Sequence, residues 1–503
     1  MRSKKALFNT TTALIYEIVA VICGLVLPRL ILSHFGSAYN GITSSITQFL
    51  SAVILLRAGV GAVTRVALYK PLAEKNTAQI SAVVNATQGF MRKIALIFLG
   101  MIFALALLYP FLVSDEFEWV FSFTLVLILG ISTFMQYYFG ITYQMLLTAD
   151  QSDYIYSIVQ IGTTIMNTLV ASALILGGAG IHAVKLGSAV VFSINPLVLN
   201  YVCHKKYKLD KKAPPDKSAL KQRWDAFAQS VAFFIHTNSS VIVLTCFTNT
   251  KEVSVYSVYN YVIANIRIVM STFVNGFGAA FGNMMAKGED ALIKENLRIY
   301  ELIVFFMSSI IYTVAGIMIV PFALLYTDGV TDVEYARLTF AVLITLAGAF
   351  SCFRIPYQTI VEAAGHFKQT RNGAIFEAAI NLLISVVCVF KFGLVGVAIG
   401  ALVATVFRSF QYAIYMSKHI VKRSLGIFIF HLCLNAIVAV VTAVVAHYIP
   451  DFAIGGWLGW IARSVVVTMC AVAVSFILHY VFYKNDMIKL IIKLKNIVFK
   501  KLK

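Results

Sequence analysis

Six arginines lie inside or at the edges of long apolar segments, where a charged side chain needs a partner, a wet cavity or a function. A charge at the centre of a bilayer costs roughly 2.5–3.5 kcal/mol on insertion scales. A guanidinium stays charged at any accessible pH and donates paired hydrogen bonds to phosphate oxygens. Arginines in a water-filled cavity of low dielectric would therefore suit a diphosphate ligand. The six are Arg29, Arg57, Arg267, Arg354, Arg408 and Arg463.

Arg267 stands deep in an apolar segment and shares a helical face with three polar residues. Asn260, Ser271 and Asn275 lie seven residues before it, four after it and eight after it, which keeps them within roughly 100° on a helix. Such a stripe should line a cavity rather than face lipid. Snorkelling or a structural ion pair is the alternative for each arginine. The predicted binding residues are Arg29, Arg57, Asn260, Arg267, Ser271 and Asn275.

The other arginines have simpler explanations. Arg354 and Arg408 have candidate carboxylate partners in Glu362 and Glu377, so ion pairing is at least as good an interpretation as a binding role. Arg463 lies at the edge of its apolar segment and is expected at the membrane interface.

Two carboxylates within apolar segments could bind a coupling ion. Glu17 lies deep in the first segment, where a buried carboxyl can carry a proton and a charged one can bind Na⁺. Glu377 and Asn381 are four residues apart and hence on one helical face. Asn238, on an earlier segment, could approach them. Pairing with a nearby arginine is the alternative for the carboxylates.

The amino-acid composition indicates the class of protein in which these residues lie. Charged residues make up 13% of the 503 residues and hydrophobic ones 60%, with a mean hydropathy of +0.84. Soluble domains are about 25% charged and at most about half apolar, and disorder requires low hydrophobicity. The net charge is +19, but a nucleic-acid site requires basic residues clustered on a folded soluble surface, and this chain offers little such surface. The sequence therefore predicts a polytopic membrane protein without a nucleic-acid partner.

Hydropathy predicts an all-α protein with about fourteen membrane-spanning helices. Two further spans follow the first twelve, and a basic, amphipathic tail at 484–503 is expected to bind anionic lipid. The approximate spans are 7–32, 41–63, 94–113, 120–147, 154–176, 181–202, 227–247, 255–281, 300–325, 338–363, 374–391, 394–416, 425–448 and 460–483.

The distribution of Lys and Arg predicts the orientation. Most of the 41 basic residues fall in segments that share one side of the membrane, which the positive-inside rule assigns to the cytoplasm. Both termini are then cytoplasmic, as is the Pro-containing linker 203–226. The opposite side holds only Lys185, Lys251, Arg337 and Lys391.

A weak internal repeat divides the chain. Ser37-Ala38-Tyr39 recurs 217 residues later as Ser254-Val255-Tyr256, and Gly59-Val60-Gly61-Ala62 recurs as Gly276-Phe277-Gly278-Ala279. Chance recurrence of Gly and Ala is the alternative. A parallel repeat of about six spans, related by a pseudo-twofold axis along the membrane normal, is typical of transporters. The predicted divisions are an N-lobe at 1–202, a linker at 203–226, a C-lobe at 227–416 and two extra helices at 417–483.

Short motifs give the chain a resemblance to the multidrug/oligosaccharidyl-lipid/polysaccharide exporter superfamily, and within it to the polysaccharide-unit flippases. The resemblance implies a secondary transporter of the bacterial inner membrane. It would move undecaprenyl-diphosphate-linked oligosaccharides to the outer leaflet for O-antigen, capsule or exopolysaccharide, alongside a polymerase and chain-length machinery. The motifs are Leu27-Pro28 before Arg29, His34-Phe35-Gly36, Tyr39-Asn40-Gly41 and Gly59-x-Gly61.

The resemblance also implies site residues. Flippases of the related lipid II branch carry cavity arginines on their first, second and eighth helices, a distribution that Arg29, Arg57 and Arg267 match by span. That branch places a sodium site among its seventh, eleventh and twelfth helices. Asn238, Glu377 and Asn381 resemble it loosely, although the Glu-Asn order departs from the Asn-Asp order of that branch.

Two other functions are compatible with many membrane spans. A drug exporter of the same superfamily would favour acidic or aromatic cavities, whereas arginines outnumber carboxylates in these spans. A membrane-bound polysaccharide polymerase or ligase would be expected to have a large outer catalytic loop, whereas the longest predicted outer loops, 326–337 and 449–459, are short and hold no obvious nucleophile. No Gly-Lys-Ser/Thr phosphate loop, Cys-x-x-Cys pair or His-x-x-x-His spacing occurs in the sequence. The sequence therefore predicts a non-enzymatic protein with no cofactor beyond a coupling Na⁺ or H⁺.

Overall fold

The computed structural model describes residues 2–56, 60–216, 227–274, 277–449, 455–489 and 492. Within these ranges it contains nineteen α-helices and no strand, so the predicted all-α fold is confirmed. The helices are α1 (Arg2–Phe35), α2 (Ser37–Leu50), α3 (Val53–Leu56), α4 (Val60–Ala73), α5 (Thr77–Leu112), α6 (Trp119–Met135), α7 (Ile141–Ala149), α8 (Asp153–Leu176), α9 (Ile181–Tyr207), α10 (Phe227–Phe247), α11 (Thr250–Val274), α12 (Phe277–Ala286), α13 (Asp290–Tyr326), α14 (Leu338–Phe353), α15 (Ile355–Ala363), α16 (Phe367–Phe392), α17 (Leu394–His419), α18 (Gly426–His447) and α19 (Gly456–Phe482).

Eleven helical segments among the described residues are long and apolar enough to cross a membrane. The other predicted spans, near 41–63, 227–247 and 255–281, coincide with α2–α4, α10 and α11–α12. These helices are broken or carry many polar residues; α2 alone contains two threonines, three serines and an asparagine. The predicted positions therefore match helices. Breaks and polar residues explain why α2–α4 and α11–α12 are absent from the apolar set, and α10 contributes a shorter apolar helix, Thr237–Phe247.

The chain forms two compact units. The first comprises Met1–Ser254 with Gly329–Val333, and the second comprises Val255–Asp328 with Glu334–Lys503. Helix α10, predicted to open the C-lobe, packs against α2 and α3 in the first unit. The division into lobes at the linker 203–226 stays a prediction. Most of the basic tail, predicted at 484–503, lies outside the described residues.

In the first unit, α1 packs on α8, α8 on α9, and α5 on α6. An apolar cluster of this unit contains Ile42, Phe98, Tyr109 and Leu125, all fully buried. The exposed faces of the same helices are apolar too, as at Leu108 on α5. Apolar residues on both faces are expected for helices that contact protein on one side and lipid on the other.

The start of α2 explains two glycines of the sequence motif. Gly36 has a φ of 91°, which a side chain would disfavour. The Asp332 carboxylate accepts hydrogen bonds from Ser37 N at 2.8 Å and from Ser37 Oγ at 2.6 Å. A Cβ on Gly41 would collide with the carbonyl oxygen of Thr250. We call this region the α2 corner, and its close backbone packing requires small residues.

A polar cluster lies in the turn between α7 and α8 of the first unit. The Asp150 carboxylate accepts hydrogen bonds from Lys206 at 2.9 Å, Tyr207 at 2.7 Å and Ser152 at 2.7 Å, and pairs with Lys5. Burial would raise the pKa of Asp150, but these hydrogen bonds lower it from its ordinary value of 3.8 to about 2. The stabilisation is therefore complete above pH 3.8 and is lost only as the pH falls through the lowered pKa.

The second unit is organised around α13, which packs against α14, α18 and α19. Helices α16 and α17 pair closely because Gly396 and Gly400 face the backbone of α16, where a Cβ would collide. Ser309 on α13 and Ser475 on α19 share a buried 2.7 Å hydrogen bond. The two extra C-terminal helices are thus joined to the second unit by polar as well as apolar contacts.

Candidate functional site

A polar chamber lies inside the first unit, among α1, α2, α6, α8 and α9. It consists of two adjoining cavities with volumes of about 750 and 320 Å³. They share six lining residues, including Thr47, Ser132, Thr133 and Asn167, and we refer to them together as the chamber. The polar lining residues are Tyr16, Thr47, Ser51, Ser132, Thr133, Gln136, Tyr156, Gln160, Thr164, Asn167, Thr168, Lys185, Ser188 and Asn195.

Helical spacing explains why α8 contributes most of the polar lining. Tyr156, Gln160, Thr164, Asn167 and Thr168 follow one another at intervals of four, four, three and one residues, so they lie along one face. The face opposite the chamber is apolar, as in other membrane helices of the chain. This amphipathic pattern holds no ionisable residue apart from the tyrosine, and a search for charged residues in apolar segments therefore overlooks it.

Two buried amides with unsatisfied acceptor atoms are among the residues that line the chamber. Asn167 is 5% exposed and Asn195 is 2% exposed. Asn195 Nδ2 donates to Gln160 Oε1 at 2.9 Å, whereas the Oδ1 atoms of Asn167 and Asn195 have no hydrogen-bond partner among the described residues. A buried acceptor left unsatisfied costs about 1–3 kcal/mol. These oxygens are suited to bind water or a ligand that supplies hydroxyl or amide donors.

Lys185 is the charged residue among those that line the chamber. The sequence predicts Lys185 on the outer side of the membrane, and that side stays a prediction. In the structure it lies one turn inside α9, and its side chain is half-buried. In the described part of the chain, no carboxylate forms an ion pair with it. The chamber therefore combines a neutral hydroxyl and amide lining with one positive charge.

A π-helical segment at Gln136–Gly140 interrupts the span between α6 and α7. Gln136 lines the chamber, and Gly140 packs so closely on Pro196 of α9 that a Cβ there would collide. Isolated π-turns within α-helices are frequent at functional sites. This one turns an amide side chain into the chamber.

The residues predicted to bind substrate are distributed over both units. Arg29, half-buried in α1, belongs to the first unit, whereas Asn260 and Arg267 on α11 belong to the second. Arg267 is exposed and forms no ion pair with a carboxylate in the described ranges. Ser271 Oγ donates to Ile268 O within its own helix at 2.8 Å. Arg57 and Asn275 lie outside the described residues.

Glu377 is bound by two arginines. Its Oε1 accepts from Arg354 Nη1 at 2.6 Å, and its Oε2 lies 3.5 Å from Arg408 Nε. Arg408 also donates to Thr370 O at 3.0 Å. Glu362, the other candidate partner, instead accepts from Gln358 at 2.7 Å. The predicted pairing of these arginines is therefore confirmed for Glu377, with both of its oxygens occupied.

The remaining predicted coupling residues have different surroundings. Asn238 Oδ1 accepts from Ser51 at 2.9 Å in the first unit, and Asn381 accepts from Ser385 at 3.3 Å in the second. Glu17 is half-buried next to the chamber residue Tyr16, without a salt bridge to any described residue. Among the described residues, no group of three or more His, Cys, Asp or Glu could hold a metal ion.

Comparisons with known proteins identify the fold. No protein-family model and no curated protein sequence matches the chain. The lipid II flippase MurJ in its inward closed conformation superimposes with a TM-score of 0.70 at 14% identity, covering 95% of this chain and 99% of that chain.

Two MATE transporters share the same architecture. An inward-facing multidrug resistance MATE family transporter of the MOP superfamily gives a TM-score of 0.57 at 15% identity, covering 80% of this chain and 95% of its own. The eukaryotic MATE transporter AtDTX14 gives 0.53 at 13% identity, covering 82% and 95%. The chain therefore has the fold of the multidrug/oligosaccharidyl-lipid/polysaccharide exporter superfamily, as its motifs predicted.

Proposed function

We propose that this protein is a secondary transporter that flips undecaprenyl-diphosphate-linked oligosaccharide repeat units across the bacterial inner membrane. The observation that carries the proposal is the near-complete overlap with the fold of a lipid II flippase, 95% of this chain and 99% of that one. The distribution of Lys and Arg supports cytoplasmic termini. The flipped unit would then serve the polymerase and chain-length machinery that builds O-antigen, capsule or exopolysaccharide.

The chamber supports a glycan as the transported group. Sugar hydroxyls both donate and accept hydrogen bonds, which suits a lining of hydroxyls and amides with unsatisfied acceptors at Asn167 and Asn195. Each neutral hydrogen bond contributes only about 0.5–1.5 kcal/mol net, so binding can be specific and still reversible. The larger cavity, about 750 Å³, is in the size range of small-molecule sites. The polyprenyl tail would remain in lipid.

Arg267 provides the first test. We expect Arg267→Ala to abolish export while leaving insertion intact, because an exposed guanidinium within α11 would bind the diphosphate through charge-assisted hydrogen bonds worth about 1.5–3 kcal/mol. Complementation of a flippase-deficient strain would report surface glycan, with membrane levels measured by immunoblot. Arg371→Ala, at an exposed position on α16, is the matched control. Normal surface glycan in Arg267→Ala would contradict the assignment.

Glu17 is the proposed coupling residue, since Glu377 is already bound by two arginines. We expect Glu17→Gln to remove the dependence of flux on an imposed gradient, because the amide cannot release a proton or bind Na⁺ as a carboxylate does. Proteoliposomes with separate proton and sodium gradients would measure this, with the exposed Glu74→Gln as control. If collapsing both gradients leaves wild-type flux unchanged, coupling by Glu17 is disproved.

Drug export is the second candidate, because MATE transporters share the fold. The chamber disfavours it, since Lys185 would repel an organic cation. Thermal stabilisation of the purified protein separates the two functions, because a ligand that binds the folded state raises its stability. Stabilisation by organic cations but not by undecaprenyl-diphosphate sugars would select the drug exporter.

A further inference from the structure

We infer that the chamber contains an anion subsite at Lys185, which recognises an acidic group of the transported glycan. The inference rests on the proposed function for the identity of the glycan, and on the chamber itself for the chemistry. It assigns a specificity role to a lysine in the first unit, separate from the arginines predicted to bind substrate.

A lysine within a membrane span is energetically costly. Lys185 lies one turn inside α9, within a segment long and apolar enough to span a membrane. A charged side chain within a span requires a partner or a water-filled cavity. No described carboxylate pairs with Lys185, and its side chain lines the smaller cavity. The chamber is therefore where its charge is solvated, and a bound anion would be its natural partner.

The charges near Lys185 favour a bound anion. Lys185 is near the N-terminus of α9, whose first turn holds no acidic residue. A helix N-terminus is itself positive, equivalent to about half an elementary charge. Helix and lysine thus add to a positive potential at this end of the chamber. An anion is attracted there and a cation is repelled.

Polar residues line the same cavity as Lys185. Asn167 and Ser188 line the same cavity, and the buried Asn167 Oδ1 lacks a hydrogen-bond donor among the described residues. A ligand that satisfies both groups must carry a negative charge and a hydroxyl or amide donor. A sugar acid has both, as does a sugar joined to phosphate. The shared chemistry is an oxyanion next to sugar hydroxyls.

The experiment uses the purified full-length chain in detergent with three soluble probes, sodium glucuronate, glucose and inorganic diphosphate. The melting temperature is measured against probe concentration for wild type, Lys185→Gln and Lys185→Arg. Lys391→Gln is the control, since Lys391 is exposed near the end of α16 and stacks on Phe392. We expect an anionic probe to stabilise wild type, Lys185→Arg and Lys391→Gln. Lys185→Gln should need about tenfold more of it or show no shift.

The three probes distinguish an acidic sugar from a phosphate as the group that binds near Lys185. A Lys185-dependent shift with glucuronate supports recognition of an acidic sugar, and one with diphosphate alone supports recognition of the phosphate. Equal shifts in wild type and Lys185→Gln for both anions would overturn the subsite. If Lys185→Gln does not fold, wild type gives a second readout. A bound anion should protect the Lys185 amine from an amine-reactive reagent, detected by mass spectrometry, and lack of protection would overturn the inference.

A flipping assay keeps this inference separate from the proposed function. In proteoliposomes that contain undecaprenyl-diphosphate oligosaccharides, absence of flipping by wild type would contradict the flippase proposal. It would leave the soluble-probe result to decide the anion subsite. Flipping with no Lys185-dependent anion effect in the probe assay would contradict the subsite alone.

Discussion

Replacing Glu377 by Ala is expected to destabilise the protein by about 3–5 kcal/mol, because it leaves buried arginines without their partner. The Glu377 side chain is 8% exposed, that of Arg408 is 6% exposed and that of Arg354 is 18% exposed. One carboxylate therefore compensates two guanidinium groups in a largely dry region. Thermal unfolding of the purified protein and its yield in membranes would both report the loss.

Two further variants test whether the lost ion pairing causes the destabilisation. Glu362→Gln removes an exposed carboxylate that accepts a hydrogen bond from Gln358, and we expect a change within about 0.5 kcal/mol. Adding Arg354→Met to Glu377→Ala should recover part of the loss, since one of the unpaired charges is then removed. A normal melting temperature in Glu377→Ala, with sodium dependence of transport abolished, would instead favour the coupling role that the sequence resemblance implied.

Arg423→Met is expected to have an effect of similar size, about 3–5 kcal/mol. Glu301 on α13 is fully buried, and both of its oxygens accept hydrogen bonds from Arg423, one of them at 2.7 Å from Nη1. Arg423 lies in the segment that precedes α18, so the pair ties the C-terminal helices to α13. We expect lower thermal stability and faster proteolysis between α17 and α18.

The control for this variant is an ion pair of the same unit that is exposed on both sides. Lys489 pairs with Glu295 at 3.1 Å, and their side chains are 53% and 50% exposed. Exposed pairs contribute about 0–1 kcal/mol, so Lys489→Met should unfold nearly as wild type does. Equal destabilisation by the two variants would show that burial of Glu301 is not the cause.

Much of the fold could be predicted from the sequence because membrane insertion depends on local hydropathy. The positions of helices follow from hydropathy along single segments, and the need of Arg354 and Arg408 for a carboxylate partner follows from their place in apolar segments. The choice between Glu362 and Glu377 does not. It depends on how α16 packs against α17, where Gly373 leaves room for Arg408 and Gln411. That contact joins residues distant along the chain, and no local pattern encodes it.

The chamber was missed for a related reason. Charged residues stand out in apolar segments, whereas the chamber lining consists mostly of amides and hydroxyls. Such residues also occur at lipid-facing or helix-packing positions, where they bond to the backbone of their own helix, as the buried Thr405 does to Ala401. Only their spacing on α8 distinguishes a cavity face. For Lys185, the count of charges on each side of the membrane does not show whether the side chain points to lipid or to a cavity.

The π-helical segment at Gln136–Gly140 also has a consequence for how this chain can vary in length. A π-turn holds one residue more than an α-turn, so deleting one residue there would restore a regular α-helix and keep α6 and α7 in register with their neighbours. A deletion elsewhere between Trp119 and Ala149 would rotate everything beyond it by roughly 100°. The wide turn is thus a position where evolution can add or remove a residue. The change would remodel the chamber wall at Gln136 and spare the rest of the fold.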